Sequence, residues 1–375
     1  MTRVGLAFTA NRGARAAALL CACALALGGC LGGDGGEETH RIDGEVATVY
    51  SSAPRHGVSA AAASEVLAGQ RRALAERGGR AGALRVRLRQ LPATDDRERP
   101  WDPALVAENA SRAADDPTAI AYLGELDYGA TAVSLPITND AGLLQVSPGD
   151  GLTSLTARPP GRPRAGPERY YPTERRSFVR LGPSDLREAE GLVARLRAVG
   201  VTRFALVFDR EIYGRELAAQ VVTLARRDGL MPVASEEYRG QIEEIPELAR
   251  ALAEHRPDAV VQLGVAGRGT IPMLVAIDDQ LPGVPLLAAS GMLAIRGLAL
   301  PPGPDRIEAV GPVLRPERAG YEAMRLVLDA VEAGGRDRRR VVAAGLRLGR
   351  RMTTEPLALY RPGADGRFER VGTVP

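Results

Sequence analysis

Short apolar runs alternate with helical patterns along most of this 375-residue chain, and that alternation restricts the folds available to it. Residues 84–91 alternate apolar and arginine side chains with a period of two, as a strand with one hydrated face does. Residues 59–79 instead carry strong helix formers between Ser59, a suitable N-cap, and a Gly-Gly pair. Further elements are expected as strands at 45–50, 119–126 and 143–148 and as helices near 103–114 and from about Gly129. Such alternation predicts a parallel sheet covered by helices on both faces.

A stretch rich in proline, glycine and arginine, residues 157–175, interrupts this rhythm, and we interpret it as a surface loop. A second alternating series follows, with strands expected near 177–182, 203–209, 231–235, 259–265 and 285–290 and helices at 184–200 and 214–229. The predicted fold class is therefore α/β, with two doubly wound parallel-sheet lobes. Because ligands of such sheets bind outside the carboxyl ends of the strands, the expected site is the cleft between the lobes.

The N-terminal region has the pattern of an export signal. A positively charged stretch precedes an apolar run at 16–27, which is too short to span a bilayer but suits the apolar region of a signal peptide. A buried core helix is the alternative, but the positive flank and the small residues after the run favour export. The sequence Leu27-Gly28-Gly29-Cys30 resembles the lipobox of bacterial lipoproteins, which implies a signal peptide at 1–29 and lipidation of Cys30. Residues 30–41 are then a flexible tether.

Composition excludes several classes of function. The cysteines are Cys21, Cys23 and Cys30, so the domain after the tether has no disulfide and no cysteine metal site. No stretch interleaves basic and aromatic residues, which argues against nucleic-acid binding. No Gly-x-Ser-x-Gly elbow, His-Glu-x-x-His pair or Walker loop is present. We therefore expect neither an enzyme nor a cofactor or metal site.

Five segments, which follow one another over nearly the whole domain, resemble segments of a known protein family in the same order. They are VYSSAPRHG, the stretch from PWDPALV to LLQVSP, RYYPTERRSFVRLGPSD, FDREIYGRELA and GYEAMRLVLDAVEAGG. Together they resemble the leucine/isoleucine/valine-binding protein family, the substrate-binding lipoproteins of branched-chain amino-acid ABC transporters. The resemblance implies the type I periplasmic-binding fold, in which a three-strand hinge joins two lobes that close around a ligand.

The resemblance also implies how the chain divides between the lobes. Crossings are expected near 178–182, near 307–314 and after Met352. The expected boundaries are 42–177 plus 315–352 for lobe 1 and 178–314 plus 353–375 for lobe 2. The short segment RPERA between the second crossing and GYEAM replaces a longer connection that family members usually have, so lobe 1 is trimmed.

Site residues are carried over one position at a time. The family holds the ligand carboxylate on two loops that match Asp127–Thr131 and 149–151, and a helix N-terminus suits an anion. The alternative is that the first loop is only the N-cap of a structural helix. Ligand-binding residues are expected to be His56, Tyr128, Gly129, Ala130, Thr131, Gly149, Asp150, Gly151, Tyr213 and Ser290.

Two of these positions depart from the family pattern. Gly151 stands where a threonine hydroxyl is common, and Ser290 stands where an acid pairs with the ligand ammonium. Either Asp150 or Asp127 replaces that acid, or the ligand is not an ordinary amino acid. An unpaired buried ammonium would cost about 3–5 kcal/mol.

The expected function is that of a solute-binding protein at the outer face of the cell membrane, anchored through lipid on Cys30. It would capture a small polar ligand, an amino acid or a related compound, and deliver it to the permease subunits of an ABC importer. The alternative is a lipoprotein of the same fold that acts as a ligand sensor or protein-interaction module without transport. An exported hydrolase is disfavoured because no nucleophile–base pair is present.

Overall fold

The computed structural model describes nine stretches of the chain. They are residues 40–57, 59–94, 100–162, 164–267, 269–294, 307–313, 315–352, 356–363 and 365–374. The predicted signal peptide, Cys30 and nearly all of the predicted tether lie outside these residues.

A six-stranded sheet forms the core of the first lobe. Its strands, in spatial order, are β2 (Arg80–Ala81), β3 (Leu84–Pro92), β1 (Val46–Ala53), β4 (Ala119–Leu123), β5 (Leu144–Ser147) and β6 (Phe178–Arg180). Only β2 pairs antiparallel to its neighbour. The helices of this lobe are α1 (Ala60–Glu76), α2 (Pro103–Asp115), α3 (Thr131–Asp140), α8 (Pro316–Gly334) and α9 (Arg338–Gly349).

Helices cover both faces of this first sheet. Val49 joins a core cluster with residues of α1, α8 and α9, whereas its neighbour Tyr50 joins another cluster with residues of α2. Adjacent side chains of a strand point to opposite faces, so both faces are buried. The helices α1 and α8 pack closely at two glycines. A Cβ on Gly69 would meet the backbone of Glu317, and a Cβ on Gly320 would meet the backbone of Val66.

The second lobe contains a seven-stranded sheet. Its strands, in spatial order, are β13 (Phe368–Val374), β12 (Leu357–Pro362), β11 (Ile307–Pro312), β10 (Leu286–Ala288), β9 (Ala259–Leu263), β7 (Arg203–Asp209) and β8 (Met231–Tyr238). The strand β12 pairs antiparallel with both β11 and β13, and the other neighbouring strands pair parallel. Residues of α4 (Asp185–Ala198) and α5 (Ile212–Arg227) join one core cluster, and residues of α6 (Ile245–Glu254) and α7 (Thr270–Gln280) join another.

The chain passes between the two sheets three times, as the resemblance implied. The first sheet's β6 is followed by α4 of the second lobe, the second sheet's β11 by α8 of the first lobe, and α9 of the first lobe by β12 of the second sheet. The C-terminal hairpin of β12 and β13 extends the second sheet. The predicted strand near 177–182, in contrast, pairs with β5 and completes the first sheet rather than starting the second.

Two local predictions were wrong in part. The described residues of segment 157–175 are irregular apart from a short 3₁₀ turn at Pro167–Tyr170. The segment is not a simple surface loop, because Tyr170 and Tyr171 are buried against Leu135 and Leu155. Ser59 occupies the position before α1 without capping the helix. Its hydroxyl instead donates to Asp127 Oδ1 at 2.5 Å, which ties the start of α1 to the loop after β4.

The search for membrane-spanning segments covered only the described residues. Within that part of the chain, every helix is too short or too polar to cross a bilayer.

Candidate functional site

The residues that the sequence analysis assigned to two loops of the first lobe come together at the N-terminus of α3. One loop joins β4 to α3 and contains Tyr128 and Gly129, and the other follows β5 and contains Asp150. Asp150 is fully buried, and its carboxylate accepts from the Thr131 N–H at 3.0 Å and the Gly129 N–H at 3.4 Å. A third donor, the Leu152 N–H, lies 3.1 Å from Oδ1. The helix N-terminus therefore already holds a carboxylate that belongs to the chain itself.

This arrangement differs from the role considered for Asp150. An acid that replaced the missing partner of a ligand ammonium would direct its oxygens into the cleft. Here the oxygens accept backbone N–H groups, the donors that the resemblance assigned to a ligand carboxylate. Burial raises the pKa of Asp150, and the N–H bonds together with the nearby Arg180 oppose that rise.

The two lobes meet at a pair of tyrosines. The Tyr128 ring, from the first lobe, stacks on the Tyr213 ring of α5, with 3.8 Å between centroids and 20° between planes. Both hydroxyls also reach Ser290, at 3.1 Å from Tyr128 and 3.0 Å from Tyr213. Close by, a Cβ on Gly129 would lie 3.2 Å from Ile212 Cδ1. Three predicted site residues thus form one contact across the cleft.

An acid does lie beside Ser290, although it comes from a different helix. Glu188 of α4 accepts the Ser290 N–H at 2.5 Å, and the Tyr213 hydroxyl donates to both Glu188 oxygens, at 3.0 and 3.1 Å. The Glu188 side chain is buried, and this burial raises its pKa to about 7. Residue 290 is a serine where the family has an acid, but the Glu188 carboxylate of α4 lies beside it.

A second acid of α4 faces the first lobe. Asp185 is 1% exposed, and neither of its carboxylate oxygens has a hydrogen-bond partner in the described part of the chain. Its backbone N–H donates to the Gly151 carbonyl at 2.8 Å. A Cβ added to Gly151 would lie 2.5 Å from Asp185 Oδ1 and 2.8 Å from Tyr128 Cε1. Gly151 is thus the residue that leaves room for the Asp185 carboxyl beside the tyrosine.

Asp185 and Glu188 were missed by the sequence analysis. The signal was present, because residues 185, 188, 189, 192 and 196 share the buried stripe of α4, at spacings of three and four. Two acids on an otherwise apolar stripe indicate a buried polar site.

Buried acids dominate the electrostatics of this region. Burial raises the pKa of Glu125 to about 8 and that of Asp127 to about 7, and raises the pKa of Asp185 well above its ordinary value. The buried cation nearby is Arg180, whose guanidinium is committed to backbone carbonyls, with Nε donating to Asp150 O at 2.8 Å. The site is therefore richer in acids than in cations.

The remaining predicted residues lie around this centre. Ala130 is buried at the start of α3, and the Gly149 N–H donates to Ser147 Oγ at 3.2 Å. His56 is exposed at the end of the loop after β1, and its backbone N–H donates to Thr94 Oγ1 at 3.1 Å. Among the described residues, no group of three or more His, Cys, Asp or Glu side chains is placed to hold a metal ion.

Comparison with known proteins supports the fold assignment. A family model described as the receptor family ligand binding region matches residues 167–264. No curated protein sequence matches the chain significantly. A solute-binding protein of an ABC transporter from R. palustris, in complex with benzoate, superposes with a TM-score of 0.69 at 16% identity, covering 88% of this chain and 97% of that one.

Two further solved structures are similar over the same length. An ABC transporter substrate-binding protein from Desulfitobacterium hafniense, in complex with Leu, gives a TM-score of 0.65 at 18% identity, covering 87% of this chain and 100% of that one. A leucine-binding protein from Thermotoga maritima gives 0.66 at 16% identity, covering 88% and 98%. These neighbours are solute-binding proteins, not enzymes. The chain has the type I periplasmic-binding fold, as the sequence resemblance implied.

Proposed function

We propose that this chain is an extracytoplasmic solute-binding protein that captures a small polar ligand between its two lobes for an ABC importer. The observation that carries the proposal is the contact of Tyr128, Tyr213 and Ser290, in which both lobes contribute hydroxyl groups to one cleft. The solved structures of the same fold support it, because two of them are ABC transporter substrate-binding proteins in complex with benzoate or leucine. Permease subunits would be its protein partners, and lipid on Cys30 would hold it at the outer face of the membrane.

A second candidate function is ligand sensing or protein interaction without transport. The observation that favours it is the Asp150 carboxylate on the N–H groups of Gly129 and Thr131, since an amino acid's carboxylate then finds those donors occupied. Both candidates share the cleft as the working site. They differ in whether a captured ligand is passed to a permease.

A thermal-shift screen tests ligand capture. A ligand present at about one hundred times its Kd adds about 2.7 kcal/mol to the free energy of unfolding, which raises Tm by several degrees. The shift should fall in Ser290→Ala and persist in Tyr321→Phe, because Tyr321 lies on α8 and its hydroxyl bonds Glu76 within the first lobe. A ligand whose shift is equal in both variants would contradict binding in the cleft.

Uptake separates transport from sensing. Cells that lack the protein should accumulate the captured ligand more slowly than cells that carry it. Equal uptake, combined with a ligand-dependent thermal shift, would favour the sensing function.

A further inference from the structure

We infer that the cleft recognises an organic cation, an alkylammonium or guanidinium group, through the Asp185 carboxylate and the faces of Tyr128 and Tyr213. This inference rests on the proposed solute-binding function and names the chemical class of its ligand. It is carried by three observations: an acceptor without a donor, an anion site that is already filled, and a pair of aromatic faces.

The acceptor is the Asp185 side chain. It is 1% exposed and has no hydrogen-bond partner for either oxygen among the described residues, although a buried carboxyl ordinarily has one. Its Oδ1 lies beside Gly151 and the Tyr128 ring, at the contact between the two lobes, so separation of the lobes would open the carboxyl to a ligand. A ligand that carries N–H donors on a positive charge would satisfy both oxygens.

Charges around Asp185 favour a cation as well. The charged groups that face it are Glu188 of its own helix, Asp150 of the loop after β5, Glu216 of α5, and Arg180 of β6. Burial raises the pKa of the Asp185 carboxyl, the three acids raise it further, and Arg180 lowers it. Because the Arg180 guanidinium is committed to the carbonyls of Asp150 and Leu152, it is not available to compensate a second charge. A bound cation would supply that compensation.

The occupied N–H groups at the start of α3 argue against a ligand that binds through a carboxylate. The donors at the start of α3 that would receive a carboxylate are held by Asp150, which is fully buried. A ligand carboxylate would meet acids there and would find the N–H groups of Gly129 and Thr131 occupied. The cleft is therefore selective against amino acids and aromatic acids.

The aromatic faces complete the site. Tyr128 and Tyr213 belong to different lobes, so separation of the lobes exposes one ring face from each. A tyrosine ring face attracts a cation through its quadrupole, and more strongly when the cation is desolvated. In the structure the two faces cover one another by stacking.

Isothermal titration calorimetry on the purified protein tests the inference with defined probes. Choline, agmatine and putrescine are the cations, and L-leucine and benzoate are the carboxylates. We expect at least one cation to bind and neither carboxylate to do so. Asp185→Asn should weaken cation binding at least tenfold, whereas Glu190→Gln, which changes an exposed acid on the same helix, should leave it within about twofold.

Each outcome decides between the two proposals. Binding of leucine or benzoate but of no cation overturns the cation inference and leaves the solute-binding function standing. Binding of no probe overturns the inference, and failure of the wider screen would then count against solute binding itself. Equal cation affinity in Asp185→Asn and wild type overturns the role of Asp185. Should Asp185→Asn fail to fold, Tyr128→Leu decides, because loss of the ring face must also weaken cation binding.

Discussion

The Tyr128 ring, from the loop before α3, stacks on the Tyr213 ring of α5, with 3.8 Å between the centroids. This contact joins the two lobes at the cleft. A stacked aromatic pair contributes about 0.5–1.5 kcal/mol beyond the burial of its area. The pair therefore favours lobe closure even without a ligand, and its removal should shift the molecule toward an open form.

We expect Tyr128→Ala to lower the ratio of closed to open molecules about two- to tenfold, the factor that corresponds to the stacking energy. Spin labels at Arg112→Cys on α2 and Glu247→Cys on α6 would report the distance between the lobes. Both positions are exposed. Tyr321→Ala is the control, since that tyrosine contacts α1 within the first lobe. An unchanged distance distribution in Tyr128→Ala would show that the stack does not hold the lobes together.

Replacement of Asp150 should change which ligands the cleft accepts. Asp150→Ala frees the N–H groups of Gly129 and Thr131 at the start of α3. A helix N-terminus with free donors attracts an anion, so the variant should bind benzoate or L-leucine at least about tenfold more tightly than the wild type. Calorimetry measures the change. Asp140→Ala, an exposed acid at the other end of α3, is the matched control and should bind like the wild type.

The fold could be predicted from the sequence because local periodicity specifies most of its elements. The strands β1, β3 and β7 and the helices α2, α4 and α5 lie within a few residues of their expected bounds. Sheet membership is a tertiary property, however, and this is why the strand β6 was assigned to the wrong series. The hairpin of β12 and β13 was not assigned either, because the edge strand β13 is mostly exposed and shows no strong apolar alternation.

The sequence predicted which segments form the candidate site but not how their side chains pack. The helix N-terminus at α3 and the tyrosine of α5 follow from local sequence and resemblance. That the Asp150 side chain turns back onto α3 depends on how two loops pack, which no local pattern specifies. Asp185 and Glu188 escaped notice because acids in the first turn of a helix have an ordinary explanation in the helix dipole. The apolar spacing of α4 indicates that both acids are buried, but their partners, Gly151 beside Asp185 and Tyr213 and Ser290 beside Glu188, appear only in three dimensions.

Stability should fall as the pH rises through the range in which Glu125 titrates. Burial raises the pKa of Glu125 from 4.5 to about 8, with the Tyr122 hydroxyl donating to Oε1 at 2.7 Å. Between these values the folded state keeps a proton that the unfolded state has released. The free energy of unfolding therefore decreases with pH across that window, by up to about 1.4 kcal/mol per pH unit for this group, and levels off above it.

Glu125→Gln should remove this contribution. Its free energy of unfolding should exceed that of the wild type by an amount that grows from about pH 5 to about pH 8. Urea denaturation across the range measures the difference. Glu108→Gln, an exposed acid of α2 that pairs with Arg112, should keep the wild-type slope. A slope in Glu125→Gln equal to that of the wild type would mean that Glu125 is ionised in the folded protein.

Contact between α1 and α8 should depend on Gly320. A Cβ at this position would meet the backbone of Val66, which a side-chain rotation cannot relieve. Gly320→Ala should therefore destabilise the protein by about 1–3 kcal/mol, the usual cost of overpacking. Thermal unfolding measures the loss. Gly372→Ala is the control, because a Cβ there meets no atom within 4 Å. A Tm equal to that of the wild type would show that the helices can separate without cost.

Membrane attachment should depend on Cys30 alone. The sequence Leu27-Gly28-Gly29-Cys30 resembles a lipobox, and acyl chains contribute about 0.8 kcal/mol per buried methylene, so two or three chains anchor a protein durably. In cells that process lipoproteins, Cys30→Ser should move the protein from the membrane fraction to the soluble fraction. Cys23→Ser, within the predicted signal peptide, should leave it in the membrane fraction. Mass spectrometry of the N-terminal peptide should find the lipid on Cys30, and an unmodified cysteine there would refute the anchor.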